Sequence, residues 1–202
     1  MAYPTVSGPY GFKPINRVDG LPYAGAIRQI PIASTYNTPI FNGDVVTITT
    51  GGTIAQAGSG NVTSANIVGV FVGCSYTNSQ SQPVQAQYYP GNAAATSAVA
   101  FVVDDPMAAY KVAVAFAANS VVTTVTQAAV GTNMSYNQGT GSTTTGDSVG
   151  FVIAASGANT ATLPFRVIDV VPDTATSNTT FVEVIVKINT DQYNTALGNN
   201  LA

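Results

Sequence analysis

Histidine and tryptophan are absent from these 202 residues, cysteine occurs once, and only 7% of the chain is charged. Without histidine there is no side chain that titrates near neutrality unperturbed, and no ordinary base to activate a serine or cysteine. The chain is therefore expected not to be an enzyme. The lone Cys74 cannot form an internal bridge, which is compatible with synthesis in a reducing cytoplasm. No apolar stretch reaches the roughly 20 residues that span a bilayer, and no basic segment followed by an apolar one reads as an export signal. A soluble protein with no membrane partner is expected. Eight aspartates and one glutamate face three lysines and three arginines, a formal net charge of −3. Those cations are too few to neutralise a row of phosphates, so nucleic acid is not an expected partner either.

An ordinary soluble domain is about a quarter charged. This one is 46% hydrophobic and fills its surface with Thr, Asn, Ser, Gln and Gly, a composition suited to a rigid, polar, mostly β building block. A chain of this length buries about 70% of its unfolded surface, enough for a core without disulfides, zinc or cofactor.

The first forty residues hold six of the eleven prolines (Pro4, Pro9, Pro14, Pro22, Pro31 and Pro39) and no clean hydrophobic period. Residues 1–26 read as an extended arm, and 27–202 as a single β domain. Proline fixes φ and removes an amide donor, which biases the arm to extended or edge-strand geometry. Burying Tyr3, Tyr10, Phe12 and Tyr23 at about 25 cal/mol per Å² roughly balances the entropy of ordering the arm. It is expected to order only against a surface: its own domain, a sister subunit or a larger partner.

Beyond the arm, short β-branched runs alternate with Gly, Asn, Asp and Ser, the pattern of an all-β sandwich or barrel of short antiparallel strands. Strands are expected near 27–33, 44–49, 66–76, 83–89, 98–104, 110–116, 121–126, 148–155, 165–171 and 180–189. In the last, Val182, Val184, Val186 and Ile188 form a core face, with Glu183, Ile185 and Lys187 opposite. Tyr110, Val112 and Val114 likewise alternate with Lys111, Ala113 and Ala115. Short helices are expected after the Asp105-Pro106 cap and over Thr190 to Leu197.

Each candidate site has a plainer structural reading. Asp104 and Asp105 are adjacent carboxylates, yet their place before Pro106 marks a turn and cap, and no calcium-loop motif is present. The run Gly139 to Asp147 is glycine-rich but lacks the lysine and helix of a phosphate loop, so an exposed hairpin loop is expected. Cys74 sits in an apolar run and reads as a small hydrophobe. Lys13, Lys111 and Lys187 fit no Ser-x-x-Lys motif, and the sequons at Asn61, Asn133 and Asn178 are what an Asn- and Thr-rich chain produces by chance. No metal ligands or cofactor sites emerge. Half of the positive charges, Lys13, Arg17 and Arg28, lie in or beside the arm near Tyr10, Phe12 and Tyr23. Arginine with aromatics is typical of interface anchors, which makes Tyr3, Tyr10, Phe12, Lys13, Arg17, Tyr23 and Arg28 candidate contacts to a sister subunit or larger partner. The alternative is that they pack the arm onto its own barrel.

Several segments together carry a resemblance. They are Gly11-Phe12-Lys13-Pro14, Gly20-Leu21-Pro22-Tyr23-Ala24-Gly25, Asn42-Gly43-Asp44, Ile67-Val68-Gly69-Val70-Phe71-Val72-Gly73-Cys74, Gln87-Tyr88-Tyr89-Pro90-Gly91, Val102-Val103-Asp104-Asp105-Pro106, Gly141-Ser142-Thr143-Thr144-Thr145-Gly146, Leu163-Pro164-Phe165-Arg166-Val167 and Val186-Lys187-Ile188-Asn189. In this order the chain resembles virion structural proteins of tailed bacteriophages of the head decoration, or cement, type. The resemblance implies a protein made in the host bacterial cytoplasm and carried on the capsid exterior. There it would bind the major capsid protein across subunit seams and stabilise the mature shell, as a homotrimer. A surface adhesin or head-fibre module binding host glycans is the main alternative. A glycan-cleaving virion enzyme ranks last, because it needs two carboxylates across a cleft and the sequence shows no such pair.

Overall fold

A computed structural model describes residues 6–22, 25, 27–91, 96–116, 120–122, 125–175 and 181–193. Its strands are β1 (Lys13–Arg17), β2 (Ile27–Pro31), β3 (Val45–Ile48), β4 (Ile54–Gln56), β5 (Gly60–Val62), β6 (Gly69–Thr77) and β7 (Pro83–Ala86), then β8 (Thr96–Val103), β9 (Ala108–Ala115), β10 (Asn133–Met134), β11 (Tyr136–Gln138), β12 (Phe151–Ile153), β13 (Phe165–Val170) and β14 (Val182–Ile188). The protein is all-β. One sheet runs β10-β13-β14-β9-β12-β11-β5, with β1 also on β9; the other runs β2-β8-β6-β3-β4, with β7 also on β6. Pairing is antiparallel except for β12 on β9.

The main core lies between the sheets. Val45, Val70 and Val103 from one meet Tyr110, Val112, Val114, Tyr136, Phe165, Val184 and Val186 from the other. Buried hydroxyls tie the layers, with Tyr110 donating to the Val103 carbonyl at 3.2 Å and Tyr136 to that of Ala57 at 2.9 Å. The outer faces carry smaller clusters, one around Phe71, Cys74, Tyr89 and Val102, the other around Ala113, Phe151, Ile153 and Phe181. Two bulges set who faces where. The extra residue between Phe71 and Gly73 of β6 turns Phe71 and Cys74 to the same side, and that between Val167 and Asp169 of β13 does so for Val167 and Val170. Strict alternation would have split each pair.

In the last strand Val182, Val184, Val186 and Ile188 are buried as expected, and so is Glu183 on the opposite face. Three local expectations fail. No helix follows Asp105; residues 106–107 turn, and Ala108 and Ala109 enter β9. There Ala108 pairs with Arg17 and Ala109 with Lys187, so two flanking strands override a weak helical preference. Among the described residues of 121–126 only a bridge from Val121 to Ala115 forms, followed by a 3₁₀ turn at Gln127–Ala129. The helix expected over Thr190 to Leu197 is absent from its described half, where Asp191 bridges Ile67 and 192–193 form a turn; residues 194–197 lie outside the described residues.

The described part of the arm belongs to the β structure. β1 pairs with β9, and Phe12, fully buried, stacks on Phe165 at 4.4 Å between ring centroids and meets Tyr136 edge-on at 6.0 Å. Entry requires two glycines. Gly11 (φ +80°) and Gly43 (φ +97°) pass so closely that a Cβ on Gly11 would lie 2.6 Å from Ser148 Cβ and 2.9 Å from the Gly43 carbonyl oxygen. The Phe12 amide donates to that carbonyl at 2.9 Å, and the Gly11 amide to the Gly150 carbonyl at 3.1 Å. Removing residues 1–26 takes out a strand and a core aromatic, so the truncated chain is expected to lose stability. Phe12→Ala is expected to cost about 3–5 kcal/mol, read as a lowered midpoint of urea unfolding.

Candidate functional site

The cations expected at an interface are spent inside the molecule. Lys13 Nζ pairs with Asp147 Oδ1 at 3.0 Å and donates to Asn42 Oδ1 at 2.8 Å. Arg17 lies 3.0 Å from Asp19 and 3.4 Å from Asp105. Arg28 Nε meets Asp104 at 2.8 Å, while its guanidinium lies 5.0 Å from the ring centre of Tyr193 and donates to that hydroxyl at 2.9 Å. Phe12 offers no surface to a partner. Tyr3 and Tyr23 lie outside the described residues.

Tyr10 covers the outer face of the β9–β14 pair. Its hydroxyl donates to Glu183 Oε1, and Lys111 Nζ lies 3.2 Å from the same oxygen and 5.9 Å from the centre of the Tyr10 ring. Burial, and then the hydrogen bond and charge of Glu183, hold the Tyr10 proton far above the ordinary phenol range. The only glutamate of the chain is thus a buried tie between the arm and the sheet.

Of the adjacent aspartates, Asp105 makes a turn but caps no helix, and Asp104 meets Arg28. Asp105 Oδ1 accepts from the Met107 amide at 2.8 Å, and the Asp105 carbonyl accepts from Ala108 at 2.9 Å. Each aspartate faces its own arginine. In the glycine-rich loop the Ser142 amide donates to the Asp147 carbonyl, closing a turn whose exposed threonines carry no phosphate-loop geometry, while Asp147 reaches Lys13. Cys74 is buried, with its thiol pKa pushed up to about 12 by desolvation. It is a small core side chain that holds its proton.

Sequence reasoning missed the role of Asp44. Its turn was legible in Asn42-Gly43-Asp44, its burial was not. Oδ2 accepts from the Phe41 amide at 2.9 Å and from Gln56 Nε2 at 2.8 Å, and the whole residue is inaccessible to solvent. Burial raises its pKa above the usual 3.8, against the lowering effect of those hydrogen bonds.

The accessible features gather at one end, around the turn at residues 104–107. Among the described residues, four of the five exposed large hydrophobic side chains are there: Val18, Leu21, Ile27 and Tyr193. The Val18 amide donates to Met107, Arg17 to Leu21, and Ile27 pairs with Val103 beside Asp104. A cavity of about 400 Å³ opens here, lined by Pro106, Met107, Lys187, Asn189, Asp191 and Tyr193. That is within the usual size of ligand pockets. The edge strand β2 borders this end. The Ile32 amide bonds to Ala98, so Ile27, Gln29 and Pro31 point their backbone groups outward, and Pro31 has no amide to offer.

No family model, no curated protein and no solved structure matches this chain. What the site can do is therefore argued from its own chemistry. Among the described residues no group of three or more Asp, Glu or Cys side chains is placed to hold a metal ion. The end around residues 104–107 combines exposed apolar side chains, a shallow cavity and charged groups, the ingredients of a contact surface with an apolar centre and polar rim.

Two outcomes follow from the buried groups. Because Asp44 in the folded chain keeps its proton at pH values where the unfolded chain has lost it, its contribution to stability is full in acid and declines as pH rises from 3.8 to its folded value. Asp44→Asn is expected to remove that decline, seen as a difference between the wild-type and variant urea midpoints that changes with pH only in this window. Cys74 is expected to resist an aromatic disulfide reagent at pH 8 until denaturant is added.

Proposed function

We propose that this chain is a decoration protein of a tailed-phage head, which binds the outer surface of the expanded shell and clamps it across subunit seams. The observation that carries this reading is the clustering of Val18, Leu21, Ile27 and Tyr193 at one end of an otherwise polar β body. Four of its six cations are neutralised internally. Such a molecule acts by fit. The resemblance of its segments to cement proteins supplies the partner, the major capsid protein, and the homotrimeric state.

The physics suits the task. A contact of about 1,600 Å² is enough for specific association, and a protein that binds the expanded lattice but not separate subunits stabilises that lattice by mass action. Exposed ion pairs weaken in salt. Apolar contacts set among Thr, Asn and Ser do not, which suits a particle released into media of varied ionic strength. Within this reading the contact surface moves from Phe12, Lys13 and Arg17, which are engaged internally, to the end around residues 104–107, where Val18 and Leu21 of the arm are exposed.

Incubating the purified chain with expanded shells, unexpanded shells and host cells tests the reading. Binding to expanded shells alone is expected, with a trimer seen by sedimentation. Binding to cells and not to shells would transfer the molecule to the adhesin reading, and turnover of any envelope glycan would overturn both. Leu21→Asp and Ile27→Asp are expected to weaken shell binding at least about tenfold, the worth of one buried aliphatic side chain, with little change in melting temperature.

A further inference from the structure

The six cations divide unequally. Lys13, Arg17, Arg28 and Lys111 each have a carboxylate within 4 Å, whereas among the described residues neither Arg166 nor Lys187 has one. These two are direct cross-strand partners, Arg166 on β13 and Lys187 on β14. Facing residues of an antiparallel pair hold their Cβ atoms about 4.5–5.5 Å apart, and like charges so placed repel. A chain with so few positive groups keeps two of them side by side without a counter-ion. Neither nearby carboxylate pairs with them: Asp169 faces Ile185 and its Oδ1 accepts from the Val170 amide at 2.8 Å, while Asp191, which lines the same cavity as Lys187, is buried and its Oδ1 accepts from the Tyr193 amide at 2.7 Å. Arg166 is held in place by its Nε donating to Asn133 Oδ1 at 3.0 Å. Lys187 also lines the cavity between Met107 and Tyr193.

We propose that Arg166 and Lys187 form an anion-recognition site. Its occupant is a carboxylate side chain of a partner protein, whose apolar neighbours enter the adjoining cavity against Met107 and Tyr193. Charge complementarity argues for the carboxylate, and the apolar part of the cavity wall favours a protein segment over a free inorganic anion. The site deepens the decoration reading and rests on it only for the identity of the partner.

The full chain, isotope-labelled, is titrated with a capped leucine–aspartate–leucine peptide, with its asparagine counterpart, and with inorganic phosphate. Saturable shifts at the amides of Lys187, Asn189 and Tyr193 are expected for the acidic peptide alone, weakening as salt is raised. The double change Arg166→Gln and Lys187→Gln is expected to lower that affinity at least tenfold without lowering the melting temperature, because it relieves a repulsion. Arg166→Lys with Lys187→Arg is expected to retain binding. Shifts equal in size around Lys13 or Lys111, tighter binding of phosphate, or equal binding of the asparagine peptide would each overturn the proposal. Shells separate the two readings. If the peptide site behaves as expected but shells are never bound, the decoration reading fails and the site stands. If shells are bound equally by wild type and the glutamine variant, the site fails and the decoration reading stands.

Discussion

The close passage of Gly11 against Gly43 is the constraint on which the rest of the structure depends. It lets the segment before β1 drop below the 41–44 turn, so that the Phe12 ring reaches Phe165 and Tyr136 between the sheets. A third segment closes the junction, with Asn42 donating to Gly146 and Ser148 donating to Asn42 through the backbone. The Gly43 amide donates to Phe71 of β6, and the Phe71 amide to Asp44, which joins this junction to the second sheet. Four stretches far apart in sequence are fixed here by backbone hydrogen bonds, whose groups must be satisfied once buried.

Charge is used in the same way. The partly exposed pairs Lys13–Asp147, Arg17–Asp105 and Arg28–Asp104 each add little stability. Two of them nevertheless join the first thirty residues to the turn before β9, and the other joins them to the glycine-rich loop. Glu183 carries a larger desolvation cost, met by the Tyr10 hydroxyl and the Lys111 ammonium together. Against this economy the unneutralised Arg166 and Lys187 stand out, as do the apolar side chains at the end around residues 104–107. Together they give the molecule one face whose chemistry is incomplete.

Much of the fold was legible. The runs that became β6, β8, β9, β13 and β14 are long and rich in β-branched residues, although bulges in β6 and β13 shift the faces that strict alternation assigns. The short strands β4, β5, β10 and β11 were not, because two or three residues carry no period; they are strands only because a neighbour offers them hydrogen bonds. β1 was hidden by Pro14, which reads as an extended arm but sits at the sheet edge facing Tyr110. The site residues show the same division. Composition singled out Lys13, Arg17 and Arg28, yet which carboxylate each one meets depends on separations as large as the 134 residues between Lys13 and Asp147.

The sequence by itself determined the all-β class, the core faces of β9 and β14, the turn roles of Asp44 and Asp105 and the inert setting of Cys74. Each follows from local period, backbone preference or residue chemistry. Only the tertiary structure decided that Phe12 is core, that Glu183 is a buried tie, and that Arg166 meets Lys187 without a counter-charge. Those depend on which distant strands become neighbours, and strand pairing is set by the packing of the whole chain, to which no short segment holds the information.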